Sequence, residues 1–100
     1  MRSFTDEPLP ADALELILEG GWRTPSSRNW QPWDFVVVTD RAELEALSKV
    51  WEFGSHGAGA AAAVGLMIDD YDNARDREIA AYDLGQASLQ MMLAAADLGI

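Results

Sequence analysis

The segment Pro25-Ser26-Ser27-Arg28-Asn29-Trp30-Gln31-Pro32-Trp33 gathers two hydroxyls, two carboxamides, a guanidinium and two indoles into one short stretch. Hydroxyls, carboxamides and loop N–H groups are the donors and acceptors that recognise the edge of a heterocycle or a phosphate. A plain turn needs no such variety. Serine, asparagine and proline also favour turns in their own right, so the same residues could form a rigid loop with its tryptophans tucked into the core. Composition leaves these two readings level.

Other groups that could do chemistry carry less. Gly57-Ala58-Gly59-Ala60-Ala61-Ala62 fits a dinucleotide-binding G-x-G-x-x-G/A pattern. That pattern requires a strand before it and a helix after it, and here the expected order is reversed. A close-packed connection is the better reading. His56, the one histidine, has no carboxylate or cysteine beside it with which to hold a metal, and it reads as a loop residue. Asp69, Asp70, Asp72, Asp76 and Glu78 lack calcium-loop spacing, and Arg75 and Arg77 are interleaved with them. They read as a solvated helix start, where carboxylates favour the positive end of the helix dipole. No catalytic side chain and no metal ligand is assigned.

The elements that must position the loop follow from periodicity. From Ala11, Leu14, Ile17, Leu18 and Trp22 form one apolar stripe of a helix. Gly20 and Gly21 weaken its last turn and Pro25 stops it. Asp34 to Thr39, DFVVVT, reads as a strand covered on both faces. Asp40 with Glu43 suits a helix N-cap, and Leu44, Leu47, Val50 and Trp51 give that helix a stripe ending near Gly54. Ala62 to Ile68 reads as a second short buried strand. A long helix spans about Arg75 to Leu98, with Gly99 and Ile100 placed for a Schellman cap. That helix is apolar almost all round, so it must be buried on more than one side. A subunit interface explains this better than internal packing, because the chain is short.

Composition sets the outer limits. The chain has 100 residues, 7 lysines and arginines against 17 aspartates and glutamates, a net charge of −10 and no cysteine. Clustered cations are what a phosphate backbone requires, so nucleic acid is excluded as a partner. Disulfides and thiol catalysis are excluded with the cysteines. No apolar run approaches the roughly 18 residues of a membrane span, and the first ten residues do not resemble a signal peptide. No membrane association is expected, and a cytoplasmic protein is. At 49% apolar residues the chain is not a disordered acidic tail.

The pattern P-S-S-x-N-x-Q-P-W followed by F-V-V-V closely resembles the FMN-dependent nitroreductase family. Phe4 to Pro10, F-T-D-E-P-L-P, is similar to the family's lead-in to its first helix. Asp83, Ala87, Met91, Leu93, Ala94, Ala95 and Gly99 fit the pattern of its central helix. The resemblance implies an α+β, nitroreductase-type fold with helices around a mixed sheet, of which residues 1–100 represent the N-terminal part. It implies FMN as cofactor, NADH or NADPH as electron donor, and a homodimer formed through the helix around residues 75–98. It carries Ser26, Ser27 and Asn29 over as FMN contacts. Family members usually open with R-R-S-x-R-x-F around the flavin phosphate. This chain has Met1-Arg2-Ser3-Phe4, so Arg2 matches either the last arginine or the earlier R-S pair, and Arg2 and Ser3 are carried over as phosphate contacts.

The expected function is therefore hydride transfer from NAD(P)H through flavin N5 to a small-molecule acceptor such as a nitroaromatic or a quinone. The alternative is a non-catalytic dimerising or flavin-binding module derived from the same family.

Overall fold

The computed structural model describes residues 3–52 and 54–100. In chain order it contains α1 (Ala13–Trp22), a 3-10 turn (Ser27–Asn29), β1 (Asp34–Val38), α2 (Arg41–Leu47), a second 3-10 turn (Ser55–Gly59), β2 (Ala63–Met67) and α3 (Ala74–Asp97). The two strands pair in one antiparallel sheet. The α+β class and the order of helices and strands are those expected from the sequence. The contacts form two compact units, described separately below.

The unit made of Pro10–Phe35 and Leu66–Ile100 is built on the packing of α1 against α3. Helix α3 buries one stripe, Ala80, Asp83, Ala87 and Met91, at the three-and-four spacing of a helix face. The glycines of α1 do more than weaken its end. A Cβ on Gly21 would lie 2.7 Å from Met91 Cε and 2.8 Å from its Cγ, and one on Gly20 would lie 3.2 Å from Ala94 Cβ. The missing side chains let the two helices approach closely. Trp22, expected in the buried stripe, is instead 59% exposed and sets its ring edge-on to Phe35, with centroids 5.9 Å apart. Phe35 in turn stacks on the buried Trp33.

Both ends of α3 are fixed locally. Asn73 is the N-cap, its side-chain oxygen accepting from the Arg75 N–H at 2.8 Å. At the other end Gly99 has φ +77°, its N–H donates to the Ala96 carbonyl, and the Ile100 N–H donates to the Ala95 carbonyl. That is the expected Schellman motif. Tyr82 (72% exposed), Leu89, Met92 and Leu93 occupy the face of α3 opposite the buried stripe.

The unit made of residues up to Leu9 with Val36–Gly65 centres on the buried Leu44 and Ala60. Asp40 caps α2 as expected, its Oδ1 accepting from the Glu43 N–H at 3.0 Å. The helix is shorter than its stripe implied. It stops at Leu47, gives way to turns, and leaves Leu47, Val50 and Trp51 exposed. The Arg41 guanidinium donates to the Ala58 carbonyl. The Gly/Ala tract folds as a 3-10 turn rather than a strand-to-helix junction, and His56 in it stacks on Phe4 at 6.3 Å.

The strands depart furthest from expectation. β1 was expected to be covered on both faces, yet Val36 and Val37 are exposed in succession and no residue of the strand is buried. β2 is at most half-buried, with Met67 exposed. Burial of both faces needs covering layers, and the described residues supply none over these positions. Among the described residues, no helix is long and apolar enough to cross a membrane.

Candidate functional site

The loop between α1 and β1 is built from the serines upward. Ser26 is extended, and its carbonyl accepts the Asn29 N–H at 2.9 Å. Its hydroxyl oxygen accepts the Gln31 N–H at 2.7 Å, closing the loop on itself. Ser27 opens the 3-10 turn and faces α3. Its N–H donates to Asp83 Oδ2 at 2.8 Å and its hydroxyl to Asp83 Oδ1 at 3.3 Å. Gln86 Nε2 donates to the same Oδ1 at 3.3 Å. Asp83 is 1% exposed, so three neutral donors meet a carboxylate removed from water.

The backbone between these anchors is unusual. Arg28, Asn29 and Gln31 have φ of 57°, 56° and 53°, the left-handed region that non-glycine side chains rarely adopt. Each such residue costs about 1–2 kcal/mol, somewhat less for asparagine. A hydrogen bond to a charged group contributes about 1.5–3 kcal/mol and a neutral one about 1 kcal/mol. The Asp83 anchor and the Gln31–Ser26 bond are therefore of the size needed to hold this conformation.

The hydrogen bonds decide what the loop can still offer. Ser26 Oγ uses a lone pair on Gln31 and keeps its hydrogen to donate. Ser27 Oγ gives its hydrogen to Asp83 and keeps lone pairs to accept. The side chains of Arg28 and Asn29 make no hydrogen bond to the described residues. One serine donates, the other accepts, and a carboxamide and a guanidinium stand beside them.

The two loop tryptophans divide between the readings the sequence left level. Trp33 is buried, as a structural loop requires. Trp30 is partly exposed and meets Tyr71 with centroids 4.9 Å apart and planes at 55°. Beside it an open cleft of about 480 Å³ is lined by Ser27, Arg28, Trp30, Asn73, Arg75, Asp76 and Ile79. The Tyr71 hydroxyl is pushed above its ordinary pKa by desolvation and then by Asp69, Asp76 and Asp34, so it stays neutral as a phenol.

Of the carried-over residues, Ser26, Ser27 and Asn29 fall in this one loop. Ser3 lies exposed in the other compact unit, and Arg2 lies outside the described residues. In the sequence Asp83 stands out only as part of the central-helix pattern. The available signal was an acid in register with Ala80, Ala87 and Met91 on a core-facing stripe.

A model of the Nitroreductase family matches residues 1–53. A relative from Archaeoglobus fulgidus, named for NADH dehydrogenase and NAD(P)H nitroreductase, is 32% identical over 100 residues, the whole of this chain and 58% of its own. The FMN-dependent nitroreductase of Clostridium difficile superposes with a TM-score of 0.86 at 28% identity, covering 99% of this chain and 56% of that one. A Desulfovibrio desulfuricans chain, described as a nitroreductase in complex with FMN, gives 0.79 at 31% identity, covering 98% and 57%. The chain thus spans a little over half the length of these relatives and shares their fold over that span. It belongs to the nitroreductase family.

Proposed function

We infer that this chain supplies part of the FMN site of an NAD(P)H-dependent oxidoreductase of the nitroreductase type. The observation that carries the reading is the 25–33 loop, held on a buried carboxylate of α3 while hydrogen-bonding groups of Ser26, Arg28 and Asn29 stay unused by the described residues. The donor set fits a flavin. Ser26 and Asn29 can donate to carbonyl or phosphoryl oxygens, and Ser27 can accept from an N–H or a ribityl hydroxyl. When bound, FMN supplies hydride acceptance from NADH or NADPH and its delivery to a nitroaromatic, quinone or similar acceptor. The chain's own residues bind and orient; none is assigned a proton transfer.

The exposed face of α3, with Tyr82, Leu89, Met92 and Leu93, supports a homodimer through this helix. That same face favours the second reading, a dimerising or flavin-binding module without turnover, if the interface persists where activity does not. Titration with FMN, followed by NAD(P)H oxidation with a nitroaromatic acceptor, separates the two. Flavin binding with turnover supports the oxidoreductase, and a flavin-binding dimer without turnover supports the module. A protein that takes up no flavin refutes both as flavin proteins.

A further inference from the structure

The geometry points to Asp83 as the positioning residue of the flavin-binding loop: a carboxylate on the core face of α3 that orients Ser27, and through it the left-handed Arg28–Asn29 pair, toward the cofactor. This rests on the reading of the loop as a flavin site. Three observations set Asp83 apart from core packing. It is 1% exposed, and a buried carboxylate is a poor way to fill space that alanine or leucine would fill without the cost of desolvating a charge. Ser27 reaches it through both backbone and side chain, 2.8 Å and 3.3 Å to separate oxygens, which fixes orientation as well as position. And the segment so held contains all the non-glycine residues with positive φ among the described residues, a conformation that persists only where its surroundings over-determine it.

The chemistry of the clamp selects the variants. Asp83→Asn keeps an oxygen for the Ser27 N–H and turns an NH2 toward Ser27 Oγ, which can accept it. Gln86 can rotate its carboxamide to match. The isostere therefore preserves the clamp without the charge. Asp83→Ala removes it from the helix side. Ser27→Pro removes both donors from the loop side, and the backbone there suits proline. Ser26, at φ −134° and ψ 159°, already has the conformation that precedes proline. The first residue of a helical turn also tolerates a missing N–H.

Two measurements on the intact protein test the proposal: the rate of tryptic cleavage at Arg28–Asn29, located by mass spectrometry without flavin, and the FMN dissociation constant by fluorescence titration. Asp83→Ala and Ser27→Pro should each be cut there ~10-fold faster and bind FMN ~10-fold more weakly, the loss expected for hydrogen bonds to a carboxylate. Asp83→Asn should stay within ~3-fold of the parent on both. If Asp83→Ala does not fold, Ser27→Pro carries the cleavage measurement, and cleavage at the parental rate overturns the proposal. A folded Asp83→Ala protein cut at the parental rate overturns the proposal, as does an Asp83→Asn protein as loose as Asp83→Ala. Faster cleavage with unchanged FMN affinity overturns the link to the cofactor. If the parent binds no FMN while cleavage still follows Asp83, the flavin reading fails and the clamp stands.

Discussion

The backbone N–H of Ser27 donates to the carboxylate of Asp83 at 2.8 Å, joining positions 56 residues apart in the sequence. This bond ties the loop between α1 and β1 to the core stripe of α3. A loop anchored this way has its recognition groups set before any ligand arrives, which lowers the ordering cost of binding.

Asn29 tests the outward side of the loop. Asn29→Gly removes the carboxamide and accepts φ 56° without strain, so the backbone should survive the change. FMN affinity should fall about fivefold, the value of one neutral hydrogen bond, with the melting temperature little altered. Unchanged affinity would remove Asn29 from the site.

The close approach of α1 and α3 predicts the effect of a single methyl group. Gly21→Ala places a carbon under 3 Å from Met91 and should cost about 1–3 kcal/mol in urea unfolding. Combining it with Met91→Ala should cost less than the two separate changes together. Strict additivity would mean that the helices do not meet at this point.

The outer face of α3 should respond differently. Nothing lies within 4 Å of a Cβ on Gly85, so Gly85→Ala should stabilise the dissociated chain by about 1 kcal/mol through helix propensity. Leu93 is exposed, so Leu93→Ala should change that stability by less than about 0.5 kcal/mol. Met92→Glu should instead weaken self-association, measured by sedimentation. A Met92→Glu protein that associates like the parent would move the interface elsewhere.

Tyr71 sets a pH dependence. Its neutral form is favoured in the folded chain, so folding retains a proton that the unfolded chain releases near the ordinary value of 10.0. Stability should therefore be intact below that pH and decline as pH rises through the folded value. Asp76→Asn should bring the phenol's ultraviolet titration closer to 10.0. An unchanged titration would exclude Asp76 as a cause.

Much of this arrangement was legible in the sequence because it is local. The Asp40 and Asn73 caps and the Gly99 motif depend on neighbours within a few residues and on residue types that favour those positions. The strands were misjudged because their apolar runs report an affinity for burial, while burial itself depends on what covers them. The Ser27–Asp83 bond was invisible because it is set by tertiary approach. The left-handed run left no trace either, since arginine and glutamine are not the residues that announce it.

Arg28 holds a conformation that glycine would adopt freely. Relief of the left-handed penalty by Arg28→Gly would be nearly cancelled by glycine's extra freedom in the unfolded chain, each effect being about 1 kcal/mol. The fold is thus almost indifferent between the two residues. What arginine adds is a positive charge at the rim of the cleft shared with Trp30 and Arg75, which makes this position a place to change ligand selectivity while leaving the scaffold alone.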